Sequence, residues 1–179
     1  MMLEPGDVAI EFECVTLTRT PGGKPEDEGP PDLAVRPWRL ADGLSQGPVL
    51  LMFVKVGCPT CEYALPLIDR IYRNYPESRV SMVALAQESG RGARRLIQDA
   101  DLHLAVGLDS RPHSIGESYG VSFVPTFFYI RPDGTIENAI ESFAREELKE
   151  INVKIAGEGG VAVLPFFSPD EGVPAFRPG

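Results

Sequence analysis

No apolar run in this sequence approaches the roughly 18 residues that a membrane-spanning helix needs. The best candidate, "PVLLMFVKVG" at 48–57, is far too short. The opening "MMLEPGDVAIEFE" also lacks the basic segment and apolar core of a secretory leader, so a cytoplasmic protein is expected. Positive charge is scarce: 17 Lys and Arg stand against 26 Asp and Glu, a formal net charge of −9. That balance disfavours nucleic acid and anionic membrane surfaces as partners. Histidine occurs only at His103 and His113, and no second C-x-x-C or spaced His pair accompanies the cysteines. A closed zinc site needs four ligands, so no metal is expected. There is no nucleotide-binding glycine loop and no internal repeat. No cofactor is expected either.

Cysteine is the most informative scarcity. Two of the three stand together in "FVKVGCPTCEYALP", residues 53–66. In a reducing cytosol such a pair is catalytic, redox-sensing or metal-binding more often than a structural staple. An apolar run precedes the motif and a helical pattern follows it. A thiol at that junction meets unpaired backbone N–H groups and the positive end of the helix dipole, both of which favour a thiolate. The thiolate attacks a substrate disulfide, and a second thiol one helical turn along resolves the mixed disulfide. Cys58 is the expected nucleophile and Cys61 the resolving thiol. Pro59 suits the first helical turn because it lacks an N–H that would go unpaired there. Thr60 adds a local hydroxyl.

The rest of the 179-residue chain suits one domain with an extension. Residues 8–17 alternate, with Val8, Ile10, Phe12 and Cys14 on one face, so Cys14 is expected in the core. Residues 20–32 read as an exposed loop, and "WRLADG" as a short strand and turn. "PVLLMFVKV" reads as a central strand covered on both faces. A helix then begins around the second cysteine, its apolar side carried by Ala64, Leu67, Ile68, Ile71, Tyr72 and Tyr75, with Pro66 kinking it. "RVSMVALAQ" and "LHLAVGLD" read as strands around a helix, "GRGARRLIQDA". A hairpin with an Asp133-Gly134 turn follows, then a last amphipathic helix, "AREELKEINVKIA". Residues 1–156 therefore form the domain, a mixed sheet flanked by helices. Residues 157–179, rich in Gly and Pro, form a tail expected to pack back on it, with a dimer contact or a cover over the active-site groove as the alternatives.

Four features together resemble the thioredoxin-like superfamily, in particular the TlpA/ResA-type thiol–disulfide oxidoreductases with AhpC/TSA-like domains. They are "VLLMFVKV" running into "CPTC", Pro66 within the following helix, "GVSFVPTFFYIRPDGTI", and "EPGDVAIEFE" with "WRLADG". The resemblance spans roughly residues 5–156. It implies an α/β, three-layer fold with an N-terminal β-hairpin extension. It also implies a cis Val124–Pro125 peptide facing the cysteines, with Gly57, Pro59, Thr60, Val124 and Pro125 binding substrate as a short β-augmentation. The implied partners are a protein or small-molecule disulfide or thiol and a further redox partner, with a monomer or weak dimer as the assembly.

The sequence departs from that pattern in places. Gly57 stands where the family usually has an aromatic residue. Met52 replaces the buried acid of thioredoxins, and Ala64 the glutamate of the ResA branch. Glu62 and Glu88 are substitutes by residue type only, and Lys55 reads as a strand-end lysine. Two other functions share the superfamily. A peroxiredoxin needs P-x-x-x-[ST]-x-x-C, but Lys55 and Leu51 occupy the key positions before Cys58, and Cys58 and Val54 those before Cys61. A Cu(I)-binding module could use two thiolates, but no histidine is placed to join them. His103 and His113 read as structural or exposed.

Overall fold

The computed structural model describes residues 1–21 and 31–179, so most of the expected loop at 20–32 lies outside the described residues. A seven-stranded mixed sheet forms the middle layer, in the order β2-β1-β5-β4-β3-β6-β7. The interior strand that leads to the cysteines is β3, Val49–Val54, every residue of which is buried. Alternation explains the unbroken apolar run. Leu50, Met52 and Val54 face one helical layer, while Val49, Leu51 and Phe53 face the other. β3 runs parallel to β4 (Ser81–Ala86), and β4 parallel to β5 (Ala105–Leu108). On its other side β3 pairs antiparallel with β6 (Thr126–Ile130), which turns back into β7 (Ile136–Glu141). The turn uses Gly134 at φ 83°, a left-handed conformation that favours glycine.

The N-terminal hairpin, β1 (Glu13–Arg19) with β2 (Leu33–Arg39), joins the far edge through antiparallel pairing of β1 to β5. Two expectations change here. β1 starts at Glu13 rather than at residue 8. Val8 and Ile10 are exposed, because residues 6–9 instead cross to the β6–β7 turn through Gly6 N–H to the Ile136 carbonyl and Ala9 N–H to the Gly134 carbonyl. "LADG" is not a turn either. It opens a short helix, α1 (Leu40–Gln46), whose Gly43 lies against Trp38 with no room for a side chain.

α2 (Pro59–Asn74), α3 (Gly90–Asp99) and α5 (Arg145–Glu158) pack on one face of the sheet. α1 and the short α4 (Ser114–Ser118) cover the other. Pro66 lies inside a continuous α2; its missing N–H frees one carbonyl a turn earlier. Tyr75 is buried as its spacing suggests, whereas Tyr72 is exposed. A buried carboxylate, Asp69, ties α2 to the loop before β5 by accepting the backbone N–H groups of His103 and Leu104 and contacting the His103 ring. That gives His103 a structural place. His113 is likewise occupied, its Nδ1 lying 2.6 Å from the Asp109 carbonyl oxygen.

Candidate active site at the start of the second helix

The parallel strand β3 ends at Val54, and the chain must turn before α2 can pack back on the sheet. Gly57 makes that turn at φ 76°, a conformation that strains other residues. The Cys58 N–H then closes back on the Lys55 carbonyl at 3.4 Å. Cys58 is the N-cap of α2 and Pro59 its first residue. The cap is made by sulfur: Cys58 Sγ accepts the backbone N–H of Cys61 at 3.2 Å. One of the unpaired donors at the helix start therefore points at the half-buried thiol.

Cys61, one turn along, is fully buried in the core beneath the site. Burial, reinforced by its hydrogen bond with Cys58, pushes its thiol well above the ordinary thiol range. No disulfide joins the pair, and Cys14 is likewise unbridged. The two thiols of the motif thus sit in different surroundings, one meeting solvent and donors, the other enclosed.

The second wall of the site is the loop before β6. Its Val124–Pro125 peptide bond is cis, and a second cis bond lies at Arg111–Pro112. The Cys58 thiol donates to the Val124 carbonyl at 3.3 Å, so this loop and the C-x-x-C turn meet directly. Pro125 is buried, and its carbonyl accepts the Ser142 N–H at 2.8 Å. The structure therefore brings Cys58, Cys61, Thr60 and Val124 to one place, with Gly57 and Pro59 exposed beside them. Neither Glu62 nor Glu88 hydrogen-bonds Cys61 among the described residues. Glu62 is exposed and lines a cleft of about 480 Å³ with Pro66 and Arg95, behind the motif. Lys55 is also exposed, in a separate cleft with Glu88 and His113. Among the described residues no group of three or more His, Cys, Asp or Glu side chains is arranged to hold a metal ion.

Three contacts at the site had no signal in the sequence. Ser142, held at φ 72°, lies beside the cis peptide. Tyr63 stacks edge-on against Phe143, their centroids 5.4 Å apart. Thr60 Oγ1 donates to the carbonyl of Pro178, far along the chain, at 2.5 Å. None of these contacts can be read from a short motif, because each forms only through the packing of distant segments.

A mixed sheet between two helical layers, with a C-x-x-C at a helix N-terminus facing a cis-proline loop, defines a thioredoxin-like dithiol protein. The chain belongs to the AhpC/TSA family, whose model matches residues 6–139. It is 32% identical over 126 residues to the thiol-disulfide oxidoreductase ResA of Bacillus thuringiensis subsp. konkukian, covering 69% of this chain and 72% of that protein. Among solved structures, a Chlorobium tepidum protein assigned as the thiol:disulfide interchange protein DsbE superposes with TM-score 0.66 at 21% identity, over 87% of this chain and 98% of that one. The reduced 2-Cys peroxiredoxin of Plasmodium vivax superposes almost as well, with TM-score 0.63 at 16% identity over 88% and 86%. The fold is thus shared by exchange and peroxide-reducing proteins. The cysteine spacing and the sequence relatives favour exchange.

Proposed function

We infer that this protein is a thiol–disulfide oxidoreductase, exchanging disulfides with protein or small-thiol substrates through Cys58 and Cys61. The observation that carries the reading is the capping geometry, with the Cys58 sulfur accepting the Cys61 N–H while lying 3.3 Å from the carbonyl of Val124. In the reducing direction, Cys58 thiolate attacks one sulfur of a substrate disulfide. That S–S bond breaks, a Cys58–substrate disulfide forms, and the departing thiolate takes a proton from solvent. Cys61 then loses its proton and attacks Cys58 Sγ. The second substrate sulfur leaves as a thiol, and a Cys58–Cys61 disulfide remains. Two electrons have passed to the substrate, and a dithiol partner must return them. The same steps reversed oxidise a dithiol.

The roles of the surrounding residues follow from their places. The left-handed Gly57 lets the turn present the nucleophile, and Pro59 opens the helix without leaving an N–H unpaired. Val124 offers backbone next to Cys58 for an extended substrate, held there by Pro125. Burial of Cys61 keeps it protonated and unreactive until a mixed disulfide forms above it.

Equilibration in graded dithiol/disulfide buffers, with free thiols counted by alkylation and mass, tests the reading. A reversible two-electron transition at Cys58–Cys61 is expected, and Cys61→Ser should accumulate a mixed disulfide on Cys58. Absence of any disulfide between the pair would sink the assignment.

A further inference from the structure

Residues 159–179 cross the same face of the molecule that holds Cys58, and they do so in two stages with different grips. The first stage is anchored in the core. Phe166 and Val173 are buried in the cluster that contains Cys61. The Leu164 carbonyl accepts Asn152 Nδ2 at 2.8 Å, and its N–H donates to the Tyr75 hydroxyl at 2.8 Å. Arg145 Nη1 reaches the Val173 carbonyl at 2.8 Å, and the Arg145 N–H donates to the Ala175 carbonyl at 2.9 Å.

The second stage lies over the catalytic groove and sends no side chain into the core. A two-residue strand, β9 (Phe176–Arg177), pairs antiparallel with β8 (Phe143–Ala144), which follows β7. The Arg177 guanidinium sits over the Tyr63 ring, 4.4 Å from its centroid. Thr60, inside the C-x-x-C, donates to the Pro178 carbonyl, and the Gly179 N–H donates to Ser142 Oγ at 2.9 Å. Gly179 itself lies flat on the cis-proline loop. A Cβ there would stand 2.5 Å from the Val124 carbonyl oxygen and 3.0 Å from its carbon, so no side chain fits. Phe176, Pro178 and Gly179 remain solvent-exposed on their outer side. An extended segment of this chain therefore lies against the backbone of Val124 and the hydroxyl of Thr60. No cysteine occurs after Cys61, so this segment can fill the groove but cannot enter the exchange reaction.

We propose that residues 176–179 are an intramolecular strap that occupies the polypeptide groove beside Cys58 and competes with protein substrates. This rests on the assignment of Cys58 and Cys61 to thiol–disulfide exchange. A protein disulfide, which must lay its backbone along Val124, is admitted only when the strap lifts from Tyr63 and Ser142. A small disulfide needs the sulfur of Cys58 but not the groove, and reacts with the strap in place. The buried anchors at Phe166 and Val173 let the distal end lift without unfolding the rest.

The test uses the full chain with Arg177→Ala and Gly179→Val combined, and Gly179→Val alone as a second variant. Both leave the cysteines, Thr60 and Val124 intact. Reduction of insulin and of oxidised glutathione is followed with dithiothreitol as the electron source. If the strap is seated about nine-tenths of the time, apparent affinity for the protein substrate is reduced about tenfold. The double variant should therefore lower KM for insulin by about tenfold with kcat little changed, while glutathione disulfide turnover stays within about twofold. Gly179→Val should shift KM in the same direction. A peptide of sequence VPAFRPG, residues 173–179, should restore inhibition of insulin reduction by the double variant. Equal changes on both substrates, or insulin kinetics identical to the parent, would overturn the strap while leaving the exchange activity standing. Failure of parent and variants alike to reduce either substrate would instead remove the exchange reading, and the strap with it.

Discussion

Cys14 and Cys58 are thiols of one small protein in opposite circumstances. Cys14 is the second residue of β1, 8% exposed, in the core cluster on the α1 and α4 face. Gly107 on β5 leaves room for it, since a Cβ there would come within 3.0 Å of the Cys14 sulfur. Burial is the main cause that pushes the Cys14 thiol up to about 11, where the thiolate is absent at neutral pH. Cys58 sits where a strand has ended, with a helix N–H aimed at its sulfur and solvent on one side. The same side chain is thus packing in one place and a candidate nucleophile in the other. What differs most is access to water: the Leu108 backbone also reaches the Cys14 sulfur and lowers its pKa, but burial outweighs it. An unbroken strand spends its N–H groups on the neighbouring strands, whereas a helix start has donors left over.

The comparison breaks most decisively at Cys58. Replacing it by Ser should lower disulfide reduction by on the order of 10³-fold or more, because an alcohol at neutral pH does not supply the nucleophile. Steady-state reduction of a model disulfide checks this, and full activity in that variant would end the assignment.

Alkaline stability sharpens the other side of the comparison. A thiol whose folded pKa is raised stays protonated in the native state while the unfolded chain gives up its proton. The unfolded state then binds fewer protons, so stability is lost as pH rises through the window from about 9 to 11. Two units correspond to about 3 kcal/mol for Cys14. Denaturant unfolding of the reduced protein at pH 8, 9.5 and 11 should show a decline, and Cys14→Ala should make it shallower by about that amount. An unchanged slope in the variant would show that Cys14 is not the group responsible.

The smallest effect is expected on catalysis at Cys14. The Cys14→Ala protein should keep its disulfide reductase activity within about twofold, with a stability cost of about 1 kcal/mol at neutral pH. A large loss of activity with stability intact would mean that the two regions are coupled.

The central strands and the place of the cysteine pair at a strand-to-helix junction could be read locally. The run at 49–54, the helical spacing after Cys61 and the Asp133-Gly134 turn announce themselves through periods of two and 3.6 residues, which depend only on neighbours in the chain. Cys58 as a helix cap is equally local, since proline and a C-x-x-C mark the junction. Two segments depart from what their local pattern suggests. Residues 8–12 alternate as a strand does, yet residues 6–9 bond to the β6–β7 turn and β1 begins only at Glu13. "LADG" has turn composition, but Leu40 is buried beneath the sheet and draws the segment into α1.

The neighbourhood of the sulfur atoms was decided by the tertiary structure alone. Sequence spacing puts Cys61 one helical turn from Cys58, but only packing of α2 against the sheet buries it and raises its pKa. The tail's Gly and Pro content marks an irregular segment and says nothing of its destination. Its path over Thr60 and Val124 is set by Phe166 and Val173 entering the core and by two residues of pairing to β8. Contacts between residues more than a hundred positions apart leave no periodic trace in a single chain, since they depend on surfaces that exist only after folding.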